Sequence, residues 1–206
     1  MSYRGKRVLD LAVAVPVALI TAPIQAVVAG AIRTTMGRPI LFRQDRPGLH
    51  GETFSILKFR TMLTEEAAGT SHDALRLTPL GKFLRSTSVD ELPTLWNVIQ
   101  GDMSLVGPRP LLTSYLARYS PEQARRHDVR PGLTGLAQVR GRNSLTWEEK
   151  FGFDLEYVDS QSLRLDLRII AETVTTVVRR TGISAADNAT MPEFLGSSAT
   201  STEPRG

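Results

Sequence analysis

Residues 11–32 carry no charged side chain, and this run constrains the fold more than any other stretch of the chain. About 20 apolar residues are enough to cross the hydrocarbon of a bilayer, so the length suffices for a span. Three readings fit such a run: a cleaved signal peptide, a simple transmembrane helix, and a re-entrant hairpin that enters and leaves on one face. The basic start and the small residues Ala29-Gly30-Ala31 suit a signal peptide. Asp10, inside the hydrophobic segment, speaks against one. Basic residues flank both ends: Arg4, Lys6 and Arg7 before, then Arg33, Arg38, Arg43 and Arg46 after. The positive-inside tendency places both ends on the cytosolic face, which no straight span satisfies. Pro23, near the middle, removes a helical hydrogen bond and gives a break a local cause. Each arm is then about 11 to 15 residues, roughly 16 to 22 Å, too short to cross alone. Thr21 is available to bond backbone groups freed at the break, and Pro16 is a second interruption that the hairpin does not need. Residues 1–34 are therefore expected as a re-entrant membrane hairpin broken near Pro23.

The pattern changes after Arg33, where residues 35–196 are expected to form one cytosolic catalytic domain and residues 197–206 a disordered tail. Pro39-Ile40-Leu41-Phe42 and residues 53–59 read as short strands, joined at the turn signal Arg46-Pro47-Gly48. Lys58-Phe59-Arg60-Thr61 alternates, which predicts Lys58 and Arg60 on one face. Helices are expected over 111–119, from Pro121, over 147–157 and over 163–180. The last is amphipathic, with Ile169, Ile170, Val174, Val177 and Val178 opposite Arg164, Arg168, Arg179 and Arg180. Such a helix either packs on the core or lies on an anionic membrane. The fold class is mostly α with a few short β-strands. No Cys is present among the 206 residues, which excludes disulfides and thiolate chemistry. His50, His72 and His127 are scattered without metal-ligand spacing.

A formal net charge of +4 suits anionic partners: nucleic acid, lipid headgroups or nucleotide phosphates. The chemistry concentrates in residues 85–110, RSTSVDELPTLWNVIQGDMSLVGPRP. Asp90 and Glu91 lie at the centre, with Arg85 upstream and Arg109 inside Gly107-Pro108-Arg109-Pro110. An acid between guanidinium groups suits work on a phosphate ester, because the arginines hold the anion that the carboxylate approaches. A plainer reading competes: Ser88-Val89-Asp90-Glu91 matches a capping box, with both acids only complementing a helix dipole. Residues 130–135, RPGLTG, read as a tight loop with exposed amides, and with Arg140 and Arg142 nearby suggest an anion nest. No P-loop or dinucleotide fingerprint occurs.

Taken in order, these motifs resemble one family, the small monotopic polyprenyl-phosphate hexose-1-phosphate transferases of bacteria. The resemblance runs from about Lys6 to Gly196. It is carried by Lys6-Arg7 with Asp10, Pro23, Arg46-Pro47-Gly48, Lys58-Phe59-Arg60-Thr61-Met62, Leu80-Gly81-Lys82 and Arg85-Ser86. Asp90-Glu91-Leu92, Asn97-Val98, Gly101-Asp102-Met103-Ser104, Val106-Gly107-Pro108-Arg109-Pro110, residues 130–135 and Gly141-Arg142-Asn143 complete it. Ala22 departs from the family pattern, which often has Ser before the breaking Pro. No transmembrane domain of the larger members is seen ahead of the hairpin.

The resemblance implies transfer of a sugar-1-phosphate from a UDP-sugar to undecaprenyl phosphate at the inner membrane, with release of UMP. It implies a two-step covalent route with Mg2+, in which Asp90 is the nucleophile and holds the metal while Glu91 assists. Lys58, Arg60, Arg85, Arg109, Arg130, Arg140 and Arg142 are the expected substrate-binding residues. Residues 188–194 resemble members that use N-acetylated amino sugars. Membrane lipids are expected partners; a homodimer is compatible with the sequence but not required by it. The alternative is a catalytically inactive membrane scaffold, which the intact Asp90-Glu91 pair disfavours. A nucleic-acid binder is disfavoured because the basic residues form no reading motif.

Overall fold

The computed structural model describes residues 3–141, 144–179 and 193–196. Helix dominates. α1 (Lys6–Thr35) is followed by the hairpin strands β1 (Leu41–Pro47) and β2 (Thr53–Phe59). Three short helices come next, α2 (Glu65–Ala68), α3 (Asp73–Arg76) and α4 (Pro79–Ser86), then a 3-10 turn at Val89–Glu91 and α5 (Thr94–Gln100). Strand β3 (Ser104–Val106), α6 (Pro121–Ala124), β4 (Gly132–Thr134), α7 (Leu136–Arg140), α8 (Trp147–Ser160) and α9 (Leu163–Arg179) complete the described strands and α-helices.

The apolar run does not form two separate arms. α1 is one helical element with Pro16 and Pro23 inside it. Thr21 donates to Val17 O at 2.7 Å and Ala18 O at 3.4 Å, so it does not serve the Leu19 carbonyl that Pro23 leaves without its helical partner. What the two ends touch is informative. Lys6 Nζ lies 2.6 Å from Asp166 Oδ2 on α9 and donates to Val106 O of β3 at 3.0 Å. Asp10 accepts from Ser104 Oγ at 2.9 Å and from the Leu105 amide at 3.0 Å. Arg7 donates to the Val98 and Ile99 carbonyls, which end α5. At the far end Ile32 and Met36 pack with Phe59 and Leu84. Between these anchors Leu19, Ile20, Ile24 and Val27 are exposed. The most apolar window of α1 has a mean hydropathy of 2.2 yet is only 17% buried, the reverse of a soluble core helix. A removable leader does not fit either, since Ala14 and Ile32 are fully buried in the clusters around them.

The basic residues before the apolar run therefore do more than set topology: Lys6 and Arg7 join α1 to the domain. On the amphipathic C-terminal helix Ile169 and Ile170 face the core and Arg164 and Arg168 face outward as expected, but Val174 does not join them. Asp166, Ile169 and Thr173 point inward, with Asp166 and Ile169 fully buried, whereas Val174 is exposed. The three inward positions follow the 3-4 spacing of one helical face. The side chains of Val177 and Val178, the whole of Arg180 and the expected tail 197–206 lie outside the described residues.

Strand β2 is the platform for the site. It pairs antiparallel with β1, Phe42 opposite Lys58, and its other edge is closed by α5. Asn97 Oδ1 accepts from the Leu57 amide at 3.0 Å, Asn97 Nδ2 donates to Ser55 O at 2.9 Å, and Thr94 Oγ1 donates to Leu57 O at 2.7 Å. Two side chains thus take the place of a third strand and satisfy backbone groups that burial would otherwise orphan.

The second platform is the parallel pair β3–β4, with Ser104 opposite Gly132 and Val106 opposite Thr134. Residues 130–135, expected as a tight loop with exposed amides, are instead this strand and its flanks. The Gly132 amide donates to Pro108 O and the Gly107 amide to Thr134 O, both at 2.9 Å, so neither is available to an anion. Glycine is needed here for close approach: a Cβ on Gly132 would lie 2.1 Å from Gly107 N, and one on Gly135 would lie 2.2 Å from Gly107 O. Gly132→Ala is therefore expected to destabilise the fold by about 3 kcal/mol or more, beyond ordinary overpacking because backbone rather than side chain must move. Urea denaturation checks it; wild-type stability would show that β3 and β4 are not this close. Elsewhere, the expected helix over 111–119 is a 3-10 stretch at Thr113–Arg118, and α6 passes into a 3-10 turn at Arg125–His127.

Candidate active site

Four elements bring charged side chains together around Val89–Glu91. Ser88, with φ 57°, turns the chain sharply after α4 and leads into the turn. Its side chain makes no cap bond, so the capping-box reading of Ser88 and Glu91 fails. Glu91 points instead to β2 and to the 107–110 loop: its Oε1 lies 2.6 Å from Lys58 Nζ and 3.0 Å from Arg109 Nη2. Helix α4 brings Arg85, whose Nε donates to Thr61 Oγ1 at 3.0 Å. Gly81 permits this docking, since a Cβ there would meet Thr61 O at 1.8 Å.

The two adjacent acids have different fates. Glu91 absorbs both cations. Burial alone would push its carboxyl up, but Arg109 and Lys58 outweigh burial and hold it at about 2. Asp90 is 9% exposed, and among the described residues its carboxylate makes no hydrogen bond or ion pair. Burial, then the Glu91 charge, push its pKa up to about 6, against Lys58, Arg85 and Arg109, which pull it down. Lys58 is lowered by burial and by Arg109, against the pull of Glu91. The result is one acid locked in an ion network and a neighbour that is hydrogen-bond-free and basic for a carboxylate. A basic, unpaired carboxylate is the better nucleophile, and the cations beside it suit an incoming phosphate.

Of the substrate-binding residues expected from sequence, Lys58, Arg85 and Arg109 meet here. Arg60 does not. It follows the last residue of β2, is 6% exposed, and donates to the Met36, Gly37 and Arg38 carbonyls just beyond α1. Strand alternation ends at Phe59, so the shared face expected for Lys58 and Arg60 is lost. Arg130 is exposed and donates to Gly101 O at 2.8 Å; Arg140 is exposed at the end of α7. Arg142 lies outside the described residues. Sequence reading missed Arg126, whose Nη2 donates to Arg109 O at 2.7 Å and to Asp154 Oδ2 at 2.6 Å. Its partners are 17 and 28 residues away, and no local motif marks them.

Among the described residues no group of three or more His, Asp or Glu side chains forms a metal cage. That donor set still fits Mg2+, which in phosphate chemistry takes one or two carboxylates and completes its octahedron with substrate oxygens and water. Asp90 is the carboxylate left available.

The model of a family described as Bacterial sugar transferase matches residues 1–180. The chain belongs to that family. This sugar transferase is 46% identical over 194 residues to an uncharacterized sugar transferase, EpsL, of Bacillus subtilis, covering 93% of this chain and 96% of that one. It is 44% identical over 185 residues to a UDP-glucose:undecaprenyl-phosphate glucose-1-phosphate transferase of Caulobacter vibrioides, covering 84% of this chain and 69% of that one. An undecaprenyl-phosphate galactose phosphotransferase of Salmonella typhimurium is 34% identical over 197 residues, covering 86% of this chain but 41% of its own length. The family resemblance and the transferase class expected from sequence are borne out. With its exposed apolar α1, the sugar transferase is a membrane-associated protein.

Proposed function

We propose that this sugar transferase moves a sugar-1-phosphate from a UDP-sugar to undecaprenyl phosphate and releases UMP. The observation that carries the reading is the unpaired, buried Asp90 carboxylate beside cations that its neighbour Glu91 holds in place. In the first step an Asp90 oxygen attacks the sugar-bearing phosphorus, the bridging P–O bond to UMP breaks, and UMP leaves with that bond's electrons. An oxygen of undecaprenyl phosphate then attacks the same phosphorus. The acyl phosphate bond breaks, restoring the Asp90 carboxylate and giving a polyprenyl diphosphate sugar. Arg109, Lys58 and Arg85 offset the negative charge of the phosphates, and Glu91 keeps the first two aimed. Mg2+, when bound at Asp90, neutralises phosphate oxygens and so lets two anions approach. Covalent capture allows one pocket to meet a soluble donor and a lipid acceptor in turn.

The anchoring of both ends of α1 on one domain supports its entering and leaving on the same face, which would be the cytosolic one. UMP release from a panel of UDP-hexoses and N-acetylated UDP-amino sugars, with undecaprenyl phosphate and Mg2+, tests the function. Lipid-dependent release from one donor is expected; none from any donor would favour the inactive scaffold.

Activity depends on the Asp90 carboxylate, which is present above its pKa and lost as pH falls. The rate is therefore expected to drop through an acid limb at about pH 6, or lower where a bound cation depresses it further. Arg109→Ala removes one of the charges pulling that pKa down, so its limb lies at higher pH than wild type. A pH–rate profile of the two proteins checks the order; a limb unmoved or shifted to lower pH would contradict it. The same shift has a stability consequence of opposite direction. From about pH 4 to 6 the folded state keeps a proton that the unfolded chain has lost, so Asp90 subtracts stability as pH rises.

A further inference from the structure

Residues 193–196 pack onto an aromatic cluster. Phe194 is 4% exposed. Its ring lies 5.0 Å from Phe151, 5.4 Å from Trp147, 5.7 Å from Tyr115 and 5.9 Å from Tyr119, centroid to centroid. The backbone is fixed as well. The Phe194 amide donates to Tyr115 Oη at 3.2 Å, and Arg118 Nη1 donates to Phe194 O at 2.6 Å while pairing with Glu193 at 2.7 Å. A segment tied by side chain, amide and carbonyl is a built feature of the fold rather than a loose end.

The cluster leads to the reactive centre. Tyr119 and Phe151 each face the Arg126 guanidinium at 5.8 Å, and Arg126 Nη1 lies 3.4 Å from Tyr119 Oη. Arg126 is 3% exposed and its charge is matched by Asp154, itself 4% exposed. The same guanidinium holds the Arg109 carbonyl, and the Arg109 side chain holds Glu91. A planar guanidinium between two rings, a carboxylate and a carbonyl has little freedom once the rings are fixed. Without Phe194, both rings lose a wall.

We propose that residues 193–196 form a latch whose Phe194 positions Arg109 for phosphate transfer, acting through Tyr119, Phe151 and the buried Arg126–Asp154 pair. Phe194 is a positioning residue in this account and does not touch substrate. The proposal rests on the function proposed above only for its kinetic arm. A structural arm stands apart from it.

The structural arm is amide hydrogen exchange on the full chain in nanodiscs, wild type against Phe194→Ala. Exchange at Gly107 and Arg109 is expected to quicken in the variant. Unchanged exchange there, with faster exchange at 193–196, would overturn the latch. Arg118→Ala, which cuts the bonds to Glu193 and Phe194 O and the contact with the Tyr115 ring but keeps every ring of the cluster, is expected to give a weaker form of the same pattern and guards against misfolding of the first variant. The kinetic arm is a double-mutant cycle with Arg109→Lys. Phe194→Ala should lower kcat/KM by about tenfold or more in wild type, the scale of loss when a reacting group shifts slightly. It should cost less than about twofold in the Arg109→Lys background, because residues acting through one another are not additive. Phe194→Tyr, which keeps the ring, should restore most of the activity. Equal losses in both backgrounds would mean that Phe194 serves stability alone. Absence of transfer by the wild type would count against the proposed reaction and leave the exchange result as the test.

Discussion

Asp90→Asn is expected to lower transfer by about 10³-fold or more while leaving the protein folded, the scale seen when a covalent nucleophile is removed. The amide has nearly the same shape but neither the charge nor the basicity of the carboxylate. The stability of the variant makes the prediction sharper. Asp90 is ionised at a cost, being buried and next to the Glu91 charge. A neutral isostere removes that cost, so the melting temperature of Asp90→Asn at pH 8 should equal or exceed that of wild type. Loss of activity with gain of stability is what a residue kept for chemistry produces. Glu91→Gln should behave differently, with a smaller kinetic loss and a fall in stability, since Lys58 and Arg109 lose their shared partner. UMP release and thermal melts on the three proteins check both halves. An Asp90→Asn protein that turns over at the wild-type rate would remove the nucleophile assignment.

The largest effect on stability is expected from Asp166→Ala. Asp166 is fully buried on α9 and faces Lys6, 2.6 Å away, with Tyr3 Oη and Tyr157 Oη each at 2.8 Å. Removing one partner of a buried ion pair leaves the other charged in a low dielectric, at about 3–5 kcal/mol. That is a large share of the roughly 5–15 kcal/mol by which a domain is stable. The damage is also local, because Lys6 is what fastens the start of α1 to β3 and α9. The Arg125–Asp159 pair offers the contrast. Both side chains are about half exposed, and Asp159→Ala is expected to change stability by less than about 1 kcal/mol. Denaturant melts in one detergent compare the two directly. Equal stability of the two variants would mean that the buried pair does not fasten α1.

The parts of this architecture that were legible in the sequence are those set by local pattern. Strand β2, expected over 53–59, and helix α8, expected over 147–157, lie where the local pattern put them. The meeting of Lys58, Arg85 and Arg109 at Asp90 and Glu91 was expected because phosphate chemistry needs those charges together. What escaped is set by contacts distant in the chain. Gly132 and Gly135 look like loop glycines until Gly107 packs against them. Arg60 reads as a phosphate ligand from its place beside Lys58, but the open carbonyls after α1 claim it. Lys6 reads as a flanking charge and Asp10 as an acid inside the hydrophobic segment, although their partners lie about 100 or more residues away. Pro23 marks a weakened position in α1, yet both of its neighbours keep helical structure. The unequal roles of Asp90 and Glu91 came from the family resemblance alone, and their physical cause was hidden for the same reason, as adjacent acids differ only in what the fold brings to each.

The central claim is that Asp90 carries the sugar-phosphate between donor and acceptor. Mixing the protein with its UDP-sugar and Mg2+ in the absence of undecaprenyl phosphate, then measuring UMP and mapping the adduct by peptide mass spectrometry, tests it most directly. The account predicts UMP equal to the amount of enzyme and a phosphosugar mass on the peptide that contains Asp90, discharged when the lipid phosphate is added. UMP that appears only once the acceptor is present, with no adduct on that peptide, would contradict it and point to direct transfer between the two substrates.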